Sequence, residues 1–363
     1  MTCVGEGIDT LWRAAEDGVS GVKEGLGLVP ATTHDPGGRA KQLSQLTLAQ
    51  AMRSAGWQSL TNRDGLILAT TTGQIPIWDQ ALTSYLKNTL PLEDFISAFE
   101  HQPLGNLLQS LCEKMDFNGR RLLVTSACSA STQALAMAAM WLEQGLVDRC
   151  VVGGVEVLCN LTVQGFSSLQ LLSKHASKPF DAYRSGINLS EGAAFICLEK
   201  EKSPRAQARL SGYGMSSDGY HMTAPHPEGK GCFQAMSTAL NVAKISARDI
   251  DWIHAHGTGS THNDLSEATA IKMLFGEGAQ SPWVSSTKWV HGHALGASGI
   301  IESAICIEAL KRGTILKTHG LDQPDSHLSL RHPAANMQTN LRHIVKNTLG
   351  FGGTNAALVW SQA

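Results

Sequence analysis

Residues 122–145 limit most strongly what this chain can fold into. Leu122-Leu123-Val124 reads as the end of a buried strand. The run rich in Ala, Met and Leu over residues 132–144 reads as a buried helix, with Gly145 as its C′ stop. Between them lies a turn of small residues, Ser126-Ala127-Cys128-Ser129-Ala130-Ser131, which leaves room for a substrate to approach. Cys128 therefore sits where a strand gives way to a helix. The unpaired N–H groups and partial positive charge of a helix N-terminus favour thiolate over thiol there. The plain alternative is one more inert buried cysteine among the eight in the chain.

Length and composition set the frame for that unit. The chain has 363 residues, 42% of them hydrophobic and only 17% charged, which is enough for a large buried core. The net charge of −2 and the lack of a basic block argue against nucleic acid as a partner. Cys3, Cys112, Cys128, Cys150, Cys159, Cys197, Cys232 and Cys306 are scattered with no CxxC pair, which suggests free thiols in a reducing compartment. No secretory signal opens the chain, and no apolar run approaches the roughly eighteen residues of a membrane span. The expectation is a cytoplasmic protein with no membrane span.

Hydrophobic periodicity gives the order of elements. A short amphipathic helix passes through Leu11, Trp12, Ala14 and Ala15 and closes at Gly18. Residues 30–41 read as a loop, 43–54 as a helix and 66–70 as a strand. Residues 76–117 are largely helical, broken at Pro91 and Pro103. Strands follow at 150–157 and 193–198, with a loop over 173–190 between them. The charged corner Glu199-Lys200-Glu201-Lys202 divides the chain into an N-terminal half, 1–200, and a C-terminal half, 201–363. The second half repeats the alternation: strands at 208–213, 251–255, 282–286, 344–348 and 355–360, helices at 233–244, 264–275 and 296–312, and a loop at 215–230. Such alternation implies mostly parallel sheets flanked by helices, twice over.

Three further stretches carry chemistry. His254-Ala255-His256-Gly257-Thr258-Gly259-Ser260 follows a strand, placing His256 at the C-terminal edge where α/β sheets bind ligands. Asp264 and Glu267 lie three apart on one side of the next helix. A competing reading makes His254, His256, His262 and Asp264 a metal set, although no further ligands accompany them. Lys288 and His293 share a Gly-rich loop that opens a helix, and Glu302 falls inside that helix. Gly350-Phe351-Gly352-Gly353-Thr354-Asn355 allows close backbone approach and free amides for an anion, or is simply a turn between strands.

With these stretches in order, the sequence resembles the β-ketoacyl synthases, the decarboxylating Cys-His-His condensing enzymes of the thiolase-like superfamily. The nucleophile motif stands at residues 126–131, the first histidine motif at 254–260, the lysine and second histidine at 288–297, and the last motif at 350–355. Pro179-Phe180-Asp181, Ser190-Glu191-Gly192-Ala193 and the stretch 217–225 add to the likeness, which runs from end to end. There are two departures. The apolar strand usual before the turn Met1-Thr2-Cys3-Val4-Gly5 is missing, so either the start is truncated or the sheet is completed differently. The segment between Gly21 and Leu46 is short, trimming a surface near the entrance or the dimer contact.

The resemblance implies a thiolase-like α/β fold: two similar βαβ-type halves in a layered α-β-α-β-α core. It implies an acyltransferase that condenses a Cys128-bound acyl group with malonyl-acyl carrier protein, in fatty acid, polyketide or aryl-polyene-type elongation. Cys128, His256, His293, Lys288 and Glu302 are the implied catalytic set. Cys128 and Phe351 are the implied oxyanion donors, with Phe351 also a gate. Thr258, Ser260, Gly352 and Gly353 are the implied substrate contacts, and Asp264 and Glu267 the supports. No metal or resident cofactor is implied, since phosphopantetheine arrives on the carrier. The implied partners are acyl carrier protein, acyl and malonyl thioesters, and a second subunit in a homodimer or ketosynthase heterodimer. The alternatives are a chain-length-factor-like partner subunit and a non-elongating acyltransferase or hydrolase on the same fold.

Overall fold

Leu66, Ile67, Leu68 and Ala69 have no exposed surface, and they place strand β1 (Gly65–Ala69) inside a four-stranded sheet. Strands β2 (Arg120–Val124) and β3 (Arg149–Glu156) pair with β1 in parallel. Strand β4 (Gly192–Glu199) closes the sheet antiparallel to β3. The computed structural model describes residues 1–30, 36–200 and 203–363.

The second sheet has five strands: β5 (Arg209–Ser217), β6 (Trp252–His254), β7 (Trp283–Ser285), β8 (His343–Gly350) and β9 (Thr354–Ser361), in spatial order β5-β9-β8-β6-β7. β6 pairs in parallel with β7 and β8, whereas β9 is antiparallel to both β8 and β5. The expectation of mostly parallel sheets fails here for a simple reason. The short turn Phe351–Gly353 joins β8 to β9, and so short a connection permits only an antiparallel pair.

The helices Ala130–Glu143 and Ser298–Arg312 pack against both sheets and form the middle layer. Pro36–Ala55 covers the outer side of the first sheet, and Lys230–Ala243 that of the second. This is the layered α-β-α-β-α order expected. Close approach in the middle layer depends on Gly299, where a Cβ would lie 2.1 Å from Thr132 Oγ1.

Several local expectations shift. Residues 36–41 belong to the helix Pro36–Ala55 rather than to a loop, because Pro36 takes the first helical position, where its fixed φ suits the helix. Residues 31–35 of that expected loop and of the short 21–46 segment lie outside the described residues, as do Glu201 and Lys202 of the charged corner. β5 runs four residues beyond the expected end at Tyr213, into the expected 215–230 loop. The helix Asn160–Ser168 was not read from the sequence, since Thr162, Val163 and Gly165 are weak helix formers.

In the second sheet β5 lies beside β9, but among the described residues no strand lies beside β4 on its outer edge. The chain start touches that edge. The Met1 amino group donates to Ala193 O at 2.7 Å, and Thr2 bridges Gly192 in antiparallel sense. Beyond Ala193 a cleft of about 1070 Å³ runs along β4, walled by Ala194, Ile196, Leu142, Ile301 and Trp360. Among the described residues no helix is long and apolar enough to cross a membrane.

Candidate active site

β2 ends at Val124, and the chain then turns sharply through Ala127, whose φ of 49° is left-handed and costly for a residue with a Cβ. Thr354 Oγ1 donates to Ser126 O at 3.1 Å, and Ser129 Oγ donates to Ser126 O at 2.9 Å. The first bond ties the turn to the Gly350–Thr354 segment of the other half, and the second braces the turn itself. Cys128 is thereby presented just before the helix Ala130–Glu143.

The thiol is buried, and this reverses one expectation. Burial pushes Cys128 up to about 12, while the Lys288 charge and main-chain hydrogen bonding from Phe351 and Cys128 pull it down without prevailing. Loss of hydration outweighs the helix terminus, so the resting sulfur is a thiol. A base is at hand: His293 Nε2 lies 3.0 Å from Cys128 Sγ, and His293 Nδ1 lies 2.9 Å from Ser298 Oγ.

His256 follows the end of β6. Its amide donates to Glu267 Oε1 at 2.6 Å, and the Gly257 amide donates to Oε2 at 2.8 Å. Its ring stands nearly perpendicular to that of His293, with centroids 5.2 Å apart. Burial and then the Lys288 charge hold both imidazoles well below the usual histidine value, so both are neutral. Lys288 Nζ donates to His256 O at 2.6 Å and lies 3.4 Å from His256 Nδ1. Glu302 pairs with Lys288 through one oxygen and with Lys346 Nζ through the other, at 2.8 Å. Burial alone would raise the Glu302 carboxyl, but the two ammonium groups hold it well below its usual range.

The remaining expected residues take other places. Asp264 accepts from the amides of Phe180 (2.8 Å) and Gly259 (3.2 Å), so with Glu267 it braces the loops around His256. Thr258 Oγ1 and Ser260 Oγ are 3.1 Å apart. Phe351 stacks on Phe166 with centroids 5.2 Å apart. The Gly-rich turn does not offer all its amides, because Gly352 N–H already donates to Met222 O at 2.7 Å. Its left-handed φ of 78° is what calls for glycine there.

The alternative metal set does not assemble. His254 Nε2 bonds Thr287 Oγ1 at 3.0 Å, His262 is exposed, and Asp264 is spent on amides. The donor atoms of Cys128, His256 and His293 do fall within 4.8 Å of one another. A cation fits poorly there, since the buried Lys288 ammonium sits directly behind His256.

Residues 2–203 match the model of the Beta-ketoacyl synthase N-terminal domain, and residues 207–322 that of its C-terminal domain. This chain belongs to the β-ketoacyl synthase family. It is 36% identical over 262 residues to 3-oxoacyl-[acyl-carrier-protein] synthase 2 of Coxiella burnetii, a match spanning 69% of this chain and 63% of that relative. Rhizobium meliloti strain 1021 has a protein of the same description, 33% identical over 330 residues, 85% of this chain and 77% of that relative. Among solved structures, the ketosynthase ApeO in complex with its chain length factor ApeC from Xenorhabdus doucetiae superposes with a TM-score of 0.84 at 28% identity, covering 100% of this chain and 96% of that one. As a β-ketoacyl synthase the protein is an acyl-transferring condensing enzyme.

Two site residues of this synthase escaped sequence reasoning. Ser298, which serves His293, looks like any small residue at a helix start. Lys346 carried a signal that went unused: a lysine inside the apolar run Ile344-Val345 of a strand has to find a buried partner.

Proposed function

We propose that Cys128 carries the growing acyl chain in a decarboxylative Claisen condensation with malonyl-acyl carrier protein. The observation that carries this reading is the 3.0 Å approach of His293 Nε2 to the Cys128 sulfur, with neutral His256 alongside. The Cys128 proton passes to His293, and the sulfur attacks the acyl thioester carbonyl. The bond to the carrier's phosphopantetheine sulfur breaks, and that sulfur leaves with the proton. The N–H groups of Cys128 and Phe351 hold the oxyanion.

In the second half-reaction the malonyl carbon–carbon bond breaks. CO2 departs and its electron pair enters an enolate whose oxygen accepts N–H bonds from His256 and His293. Ser298 suits His293 in both half-reactions, since a hydroxyl beside Nδ1 can donate or accept as the tautomer changes. The enolate carbon attacks the acyl group, the Cys128 carbon–sulfur bond breaks, and the thiolate takes a proton that enters from solvent through His293. The product is a β-ketoacyl chain two carbons longer.

Lys288 and Glu302 fix the loop and the field around the histidines. Thr258 and Ser260 meet the phosphopantetheine arm, and Phe351 on Phe166 gates the acyl pocket. The enzyme needs no metal or cofactor of its own, because neutral imidazoles supply the donors. It works with acyl carrier protein as a homodimer or in a ketosynthase heterodimer, a reading that the complex of ApeO with its chain length factor ApeC supports. Eight free thiols support a cytoplasmic location.

Intact-mass measurement with a panel of acyl-carrier thioesters tests the reading, with Cys128→Ala as control. A mass gain on the wild type alone, followed by CO2 release from malonyl-carrier, is the expected result. Elongation by Cys128→Ala sinks the assignment.

A further inference from the structure

Glu302 is shared by two lysines, and no group in that cluster meets water. Lys288, Glu302 and Lys346 are each 1% exposed or less. Lys346 lies on β8, with His254 as its register partner on β6. Its aligned donors go to Thr348 Oγ1, at 2.8 Å, and to Asn347 O, while its approach to Glu302 Oε2 is a charge contact. Thr348 Oγ1 in turn bonds Thr132 Oγ1 at 2.9 Å, on the helix that follows Cys128.

Two ammonium groups against one carboxylate leave an excess positive charge in a dry interior. Such a charge is destabilising by itself. The histidines and cysteines around the cluster, His254, His256, His291, His293, Cys232 and Cys306, are neutral by burial. Glu267 also bears on Lys288, but its oxygens are spent on the amides of His256 and Gly257 and on Asn347 Nδ2, so Glu302 is the one carboxylate that pairs with either lysine. The charge that would offset it is the one that appears during reaction, on the enolate.

We propose that Lys346 is a positioning residue for enolate formation: by drawing on one oxygen of Glu302 it leaves Lys288 only partly neutralised, and so keeps positive charge behind the two imidazoles. This rests on the condensation reading above. An interaction that serves only the reacting state has an identifiable signature, namely that its removal slows the chemistry without weakening the resting fold.

The test compares wild type, Lys346→Met, Glu302→Gln and the double variant Lys346→Met/Glu302→Gln by thermal melting and by CO2 release from malonyl-carrier. Lys346→Met removes the excess charge, and the double variant restores it through Lys288 alone. The expected result for Lys346→Met is at least a tenfold loss of kcat, with KM changed less than twofold and a Tm equal to or above the wild-type value. The double variant should recover at least threefold of that loss. Unchanged kcat overturns the proposal. So does a lowered Tm together with a double variant no faster than the single, which marks a structural lysine. The Tm comparison needs no turnover, so failure of the condensation reading, seen as no CO2 from wild type, is distinguishable from failure of this one.

Discussion

His293 Nε2 stands 3.0 Å from Cys128 Sγ although 165 residues separate them in the chain. The contact crosses the middle of the molecule, from the turn after β2 to the loop before the helix Ser298–Arg312. It makes the nucleophile and its proton partner products of opposite halves. His293→Ala should lower CO2 release by about a hundredfold or more, the usual range for a positioned acid–base group. Acylation of Cys128 should slow yet stay measurable by mass, and equal loss of both steps would contradict the assignment.

Because burial raises the Cys128 thiol, its thiolate fraction is small at neutral pH and grows as pH rises toward about 12. Alkylation by iodoacetamide should therefore accelerate about tenfold per pH unit between pH 7 and 9. Lys288→Met removes the one charge that pulls the thiol down, so it should slow alkylation at every pH in that range.

Glu267 accepts from the amides of His256 and Gly257 and from Asn347 Nδ2, at 2.7 Å. In Glu267→Gln one acceptor becomes a donor facing an N–H. The expected cost is roughly 2 kcal/mol in denaturant melts. Displacement of His256 should also cost about tenfold or more in kcat.

Burial raises the Glu156 carboxyl from 4.5 to about 7, against hydrogen bonds from Thr71 and Thr72. A raised carboxyl favours the protonated fold. Its contribution is complete below pH 4.5 and is lost as pH rises through about 7, up to about 3 kcal/mol in all. Glu156→Gln should flatten the stability difference between pH 5 and pH 8. An undiminished difference would mean that other groups set it.

The parts of this site legible in the sequence are those that one local segment builds. Cys128 was visible because strand, small-residue turn and helix are consecutive, and the histidines because each follows a strand or opens a helix. The thiolate expectation failed because desolvation is a property of the packed interior, invisible in a helix start. Lys346 and Ser298 went unread because their roles depend on Glu302 and His293, which only folding brings beside them. The helix Asn160–Ser168 was missed for the opposite reason: its local propensity is weak, and Phe166 against Phe351 helps hold it in place.

The bare edge of β4 bears on how this protein is to be handled at the bench. Met1 already pairs with Ala193, so residues attached ahead of it are aimed along the rest of the strand. An open row of N–H and C=O groups recruits extended segments that pass close by. A purification tag at the amino end is for that reason not inert on this fold. The expected outcome is that a β-branched leader lies in the cleft over residues 194–198 and covers the edge, whereas one rich in proline and charge leaves it open, a difference that the oligomeric state of the two tagged forms would read out.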